Sequence, residues 1–179
     1  MVKNKGVNEM EWKFRTLRAD EIECRVNQIN EKFITLLLYK DARCDMNILD
    51  ETVGCMNWQR KHNRDNANCI VSIYDPDKKE WIDKEDTGTE SNTEKEKGLA
   101  SDSFKRACVN WGIGRELYTS PYIYIPAEKC RMVQKNGKWN TLDKFRVEAI
   151  KYDDNRNIIG LAIKNNRNER VFLVGGKNE

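Results

Sequence analysis

Apolar positions along the chain switch between two periods, and the switches mark its elements. Residues 24–28 and 33–39 read as paired strands, the second rich in β-branched and aromatic side chains. A short helix over residues 17–23 leads into the first strand. Ala42, Met46, Leu49 and Val53 then recur at helical spacing over residues 41–53, and Gly54 stands where a helix ends. Strands follow at residues 56–61, 68–74 and 80–86, with Asp75, Pro76, Asp77, Lys78 and Lys79 supplying a tight turn.

Helical spacing returns after Thr93, which with Glu96 has the spacing of a capping box, so a helix begins near Glu94. At about 100° per residue, Ala100, Phe104, Ala107, Cys108 and Trp111 share one face, suited to packing on a sheet. Lys95, Lys105 and Arg106 lie off that face. Gly112 and Gly114 end the helix, whereas Gly98 sits inside it at a cost of about 1 kcal/mol relative to alanine. Beyond a strand at residues 122–125, alternation at Phe145, Val147 and Ala149, a polar turn at 153–157, and apolar runs at 158–163 and 171–174 predict a C-terminal β-meander.

The order is strand, strand, helix, then three strands and a helix, an α+β class with an antiparallel sheet packed on a long helix. Residues 1–13 are polar and read as a flexible segment; residues 14–179 read as one domain, a size that buries a real core unaided. Charged residues make up 34% of the chain and no run of 18 apolar residues occurs, which excludes a helical membrane span. The first residues lack the apolar core of a secretory leader, so the expected location is the cytoplasm. Six cysteines without a Cys-x-x-Cys pair then read as reduced, buried hydrophobes rather than a zinc site. The net charge of +3 permits a basic groove without demanding one.

One stretch carries more than local structure. Residues 101–118 read Ser-Asp-Ser-Phe-Lys-Arg-Ala-Cys-Val-Asn-Trp-Gly-Ile-Gly-Arg-Glu-Leu-Tyr. They resemble the most characteristic segment of the single-strand annealing proteins of the Rad-fifty-two superfamily, in the phage and prophage (Sak-like) branch. The resemblance runs upstream through Glu21-Ile22-Glu23-Cys24-Arg25-Val26, residues 38–50 and Gly54-Cys55-Met56-Asn57-Trp58-Gln59, covering about residues 14–126. It implies a β-β-α / β-β-β-α core that assembles as a ring or helical filament of identical subunits. It also implies annealing of complementary DNA strands in phage recombination and repair, without ATP, cofactor or metal, in the bacterial host cell. Single-stranded DNA is the implied ligand, with a single-strand binding protein and a phage exonuclease as further partners.

The resemblance assigns Lys105 and Arg106 to the single-strand groove, with Arg25 from the first strand. Arg115, just past the glycine stop, is a phosphate contact or a charge opposite the helix dipole. Arg43, Arg60, Lys61, Arg64, Lys95 and Lys97 extend this set as a candidate secondary DNA path. Val109 stands where eukaryotic relatives carry another groove arginine.

Read without the resemblance, Lys105 and Arg106 are a solvated helix face, with Asp102 four residues before Arg106 for an ordinary ion pair. Trp111 belongs to the apolar stripe, Trp58 and Trp81 to packed strands, and Trp139 is the aromatic most expected in solvent. Two alternatives compete with annealing: a protein that protects single strands or DNA ends, and a metal-dependent nuclease built on Asp83, Glu85, Asp86 and Glu90. No Ser/His/Asp or Cys/His arrangement is evident around His62, the only histidine, and no phosphate-binding glycine loop occurs, so the expectation is a protein that is not an enzyme.

Overall fold

The computed structural model describes residues 12–89 and 95–175. In chain order the elements are β1 (Glu23–Ile29), β2 (Phe33–Tyr39), α1 (Ala42–Val53), β3 (Trp58–Asn63), β4 (Asn68–Asp75), β5 (Glu80–Thr87), α2 (Lys95–Asn110), β6 (Ile123–Pro126), β7 (Met132–Lys135), β8 (Lys138–Thr141), β9 (Phe145–Tyr152), β10 (Ile158–Asn165) and β11 (Arg170–Val174). This is an α+β protein whose sheets are antiparallel. The chain divides into two compact units: residues 1–15 with 42–113, and residues 16–41 with 114–179.

In the first unit, β3, β4 and β5 form a three-stranded sheet in that order. Their register sets Arg60 opposite Val71 opposite Lys84, and Trp58 opposite Ile73 opposite Ile82. Cys69, Val71 and Ile73 on β4 are buried, as are Phe104, Ala107 and Cys108 on α2, so the helix seats its apolar stripe across β4 and β5. Gly88 lets the chain pass close to the helix: a Cβ there would lie 2.6 Å from the Ser103 backbone nitrogen. The helix stops at Gly112, whose φ is 91°. There the Gly112 N–H donates to Val109 O and the Ile113 N–H to Cys108 O, satisfying carbonyls of the last turn. The Thr93 and Glu96 side chains of the expected capping box lie outside the described residues.

The first helix departs from the sequence reading in its buried face. Cys44, Asp45, Ile48, Leu49 and Val53 are buried, while Ala42 and Met46 are only half-buried. β3 starts two residues later than predicted because residues 54–57 complete the helix end. Gly54 adopts a φ of 85°, Asn57 N donates to Gly54 O, and Asn57 Nδ2 donates to Val53 O.

In the second unit a six-stranded sheet runs β11-β10-β9-β1-β2-β6, and β7-β8 form a separate two-stranded ribbon. Ile34, Leu36, Ile123, Ile125, Leu161 and Ile163 fill its interior. Asn30 Oδ1 accepts from Lys32 N and Phe33 N, which tightens the β1–β2 turn. The predicted alternation on β9 fails at Ala149, which is exposed: register shifts between the Ala162↔Ala149 and Ile163↔Val147 pairs, and the extra residue turns the following side chain outward. Glu116, buried, accepts from Leu17 N at 2.7 Å and from Arg156 Nη2 at 3.0 Å.

The expectation of six buried cysteines holds for Cys44, Cys69 and Cys108; Cys24 and Cys130 are half-buried and Cys55, in the turn after α1, is exposed.

Two outcomes check this fold. Gly88→Ala forces a Cβ against the α2 backbone and is expected to cost about 1–3 kcal/mol in chemical denaturation; an unchanged midpoint would contradict the close approach. Glu148 sits between Arg170 (2.7 Å) and Lys164 (2.7 Å), and hydrogen bonds from Arg170 first and Lys164 second pull its pKa from 4.5 to about 2. A carboxyl whose folded pKa is depressed stabilises the fold above its unfolded value and loses that contribution as pH falls. Wild-type protein is therefore expected to lose stability relative to Glu148→Gln between pH 4.5 and about 2. Parallel thermal melts over that range read the difference.

Candidate nucleic-acid interface

The α2 stripe decides what faces outward on that helix. With Phe104, Ala107 and Cys108 buried, the intervening Lys105 and Arg106 are half-exposed. Arg106 does not pair with Asp102 as helical spacing suggested. Its Nε lies 3.2 Å from Asp86 Oδ1 on β5, while Asp102 accepts from Thr89 N at 2.9 Å. Arg106 keeps 43% of its side chain in solvent. An aspartate on a neighbouring strand thus holds the guanidinium in place while leaving donors for an incoming anion.

Alternation along β5 turns Ile82, Lys84 and Asp86 to one side and Trp81, Asp83, Glu85 and Thr87 to the other. Lys84 Nζ lies 4.4 Å from the Trp111 ring centroid and donates to Asn110 O at 2.9 Å. The cation at the C-terminal end of α2 is therefore Lys84, the role considered for Arg115. The period-2 pattern of β5 carried that signal. On β3, the Arg60 guanidinium lies 4.7 Å from the Phe104 ring centroid, Trp58 stacks on the same ring at 6.1 Å, and Trp58 Nε1 donates to Asp50. Lys61, on the opposite sheet face, is exposed, as is Arg43 on α1. Arg64 occupies a left-handed turn with a φ of 51°. The side chains of Lys95 and Lys97 lie outside the described residues.

Arg25 and Arg115 belong to the second unit. Arg25, opposite Leu37 in the β1–β2 register, pairs with Glu23 at 2.6 Å, and its guanidinium sits 4.7 Å from the Tyr39 ring centroid. The bulge between Val26 and Gln28 is tied by Gln28 N to Thr35 Oγ1. Arg115 is exposed in the turn that follows Gly114 and lines a polar cleft of about 200 Å³ with Glu116, Thr119, Asn155, Arg156 and Asn157. Gly114 has a φ of 70°, and any Cβ there would collide with the buried Lys40 side chain.

Among the aromatic residues, Trp111 donates from Nε1 to Val71 O and is half-buried, as its place in the stripe required. Trp81 is not in the core: it is 43% exposed and meets the Tyr74 ring edge-on. Trp139 is half-buried, and the aromatic side chains most open to solvent are Tyr118 at 72% and Tyr122 at 71%, which sequence reasoning passed over.

The acidic set considered for metal does not converge. Asp86 faces Arg106 while Asp83 and Glu85 face the other side of the sheet, and Glu90 lies outside the described residues. Among the described residues no three His, Cys, Asp or Glu side chains form a metal-holding group. The structure does bring together a trio that sequence order hides: His62 lies between Ser103 Oγ (3.4 Å from Nδ1) and Cys69 Sγ (3.9 Å from Nε2). Burial pushes the Cys69 thiol up to about 11, and burial with the nearby Arg60 lowers the His62 pKa. Ser103 Oγ is within hydrogen-bond reach of Asn66 O and Ala100 O. A protonated buried thiol and a hydroxyl directed at carbonyls make a packed polar joint rather than an activated nucleophile.

No helix among the described residues is long and apolar enough to cross a membrane. In comparisons with known proteins the chain matches no family model, no curated sequence and no solved structure.

Lys84→Ala removes both the cation over Trp111 and the donor to Asn110 O, with an expected cost of about 1 kcal/mol and an altered tryptophan emission. A variant indistinguishable from wild type in both readouts contradicts this geometry.

Proposed function

We propose that the chain is a single-strand annealing protein that binds single-stranded DNA and pairs complementary strands in homologous phage recombination and repair, without nucleotide hydrolysis. What supports this reading is the sequence resemblance of residues 101–118 to the annealing family's most characteristic segment, together with a helix that turns Phe104, Ala107 and Cys108 inward and leaves Lys105 and Arg106 half-exposed. Annealing makes and breaks no covalent bond. It needs cations on a rigid support to hold phosphates, and bases left accessible to a second strand. Lys105 and Arg106 supply such cations on α2, and Arg25 supplies another on β1. A phosphate competes with Asp86 for Arg106 and recruits a guanidinium already oriented.

In this reading identical subunits form a ring or helical filament, in the cytoplasm of the bacterial host, so that one strand tracks across successive copies with its bases outward. The complementary strand samples registers and closes where bases match. Affinity falls steeply with salt, since phosphate contacts release counterions.

Two complementary labelled oligonucleotides mixed with the protein, without nucleotide or metal, are expected to pair much faster than alone. The double variant Lys105→Ala/Arg106→Ala is expected to bind single strands at least about tenfold more weakly with its circular dichroism unchanged. Unaltered binding by that variant refutes the site, and tight binding without faster pairing refutes annealing.

A further inference from the structure

The net charge of +3 is not spread over the chain. Residues 127–144, between β6 and β9, carry five Lys or Arg against two Asp or Glu, and the rest of the sequence is balanced. Arg131 is already engaged: its backbone N–H and Nε both reach the buried Asp143, at 2.7 and 2.9 Å, and Arg167 adds a third donor at 2.7 Å. Leu142 N and Thr141 Oγ1 both donate to Arg131 O. These bonds fix the base of the β7–β8 ribbon.

At the other end, Asn136 and Gly137 have φ values of 52° and 73°, the left-handed pair that a two-residue hairpin turn requires. The turn sets Lys135 directly opposite Lys138. Like charges facing one another across a ribbon destabilise it. Residues 132–142 contain no carboxylate, and neither lysine side chain has an ion pair or hydrogen bond among the described residues. Both are exposed, and the neighbouring Gln134↔Trp139 pair presents a half-buried indole.

We propose that the β7–β8 ribbon is a separate contact for the phosphodiester backbone of a nucleic acid, with Lys135 and Lys138 sharing a phosphate. This rests on the reading that the chain binds nucleic acid, and adds a site distinct from Lys105, Arg106 and Arg25. An anion between the two ammonium groups converts their repulsion into attraction, and compact lysine charges suit a repeating phosphate backbone without needing the planar fork that arginine offers carboxylates.

Fluorescence anisotropy across a salt series, on a labelled thymidine oligonucleotide and on a labelled duplex, tests this with wild type, Lys135→Ala/Lys138→Ala and Lys138→Glu. The double alanine variant is expected to flatten the slope of log affinity against log salt, by about 0.7 if the ribbon holds one phosphate of a single strand and about 0.9 if it holds one of a duplex. Lys138→Glu makes the facing pair attractive, so it is expected to melt at a higher temperature than wild type while binding more weakly. Slopes unchanged on both ligands overturn the proposal, and so does weaker binding that only accompanies a lower melting temperature. Wild type that binds neither ligand overturns the proposed function itself, whereas binding that the ribbon variants leave intact overturns the ribbon alone.

Discussion

Seating α2 on β4 is the contact from which the first unit is organised. Phe104, Ala107 and Cys108 meet a strand whose Cys69, Val71 and Ile73 are equally buried, and the approach is close enough that Gly88 cannot carry a side chain without displacing helix backbone. Burial on this scale, at about 25 cal/mol per Å² of apolar surface, dominates any single polar bond on the helix. Once the stripe is inward, the positions of Lys105, Arg106 and Asn110 follow from the helical repeat alone. The flanking strands then dress the helix: β3 lays Arg60 and Trp58 on the Phe104 ring, and β5 brings Lys84 to the last turn and Asp86 to Arg106.

Much of the cationic surface is held by neighbours. Arg25 has Glu23 and the Tyr39 ring, Arg156 has Glu116, and Arg131 and Arg167 share Asp143. Exposed pairs of this kind contribute little stability. Their effect is to fix direction, so that long flexible side chains lose less freedom when an anion arrives. The buried acceptors Glu116 and Asp143 differ: each anchors backbone N–H groups as well as arginine, and an unpaired charge there would be costly.

The elements legible in the sequence were those punctuated by local chemistry. Glycines at 54 and 112, the Asp75 turn and the β-branched and aromatic run of β2 mark their own boundaries, and the helix face bearing Lys105 and Arg106 follows from spacing. What escaped depends on register between distant strands. Asp102 was the obvious partner for Arg106 on the helix, yet packing of the helix on β5 delivers Asp86; the β3–β4 register sets His62 opposite Cys69, and the helix brings Ser103 to them from 41 residues beyond His62. A bulge in β9 turns Ala149 outward, and no side-chain type near it announces the extra residue. Trp81 reads as core by composition and stands in solvent because its strand offers that face no helix.

The second unit is discontinuous: β1 and β2 precede residues 42–113, whereas their sheet partners β9 and β6 follow them. On a ribosome the β1–β2 hairpin therefore emerges early with Ile34 and Leu36 uncovered, and must wait for β6 before its edge is paired. Residues 42–113 meanwhile pair strands that neighbour one another in sequence through short turns, which favours their early formation. Folding them first replaces a long flexible loop with a compact body and reduces the entropy still to be lost when β2 finds β6. The order of synthesis thus becomes an order of assembly, in which the six-stranded sheet is the last part to close.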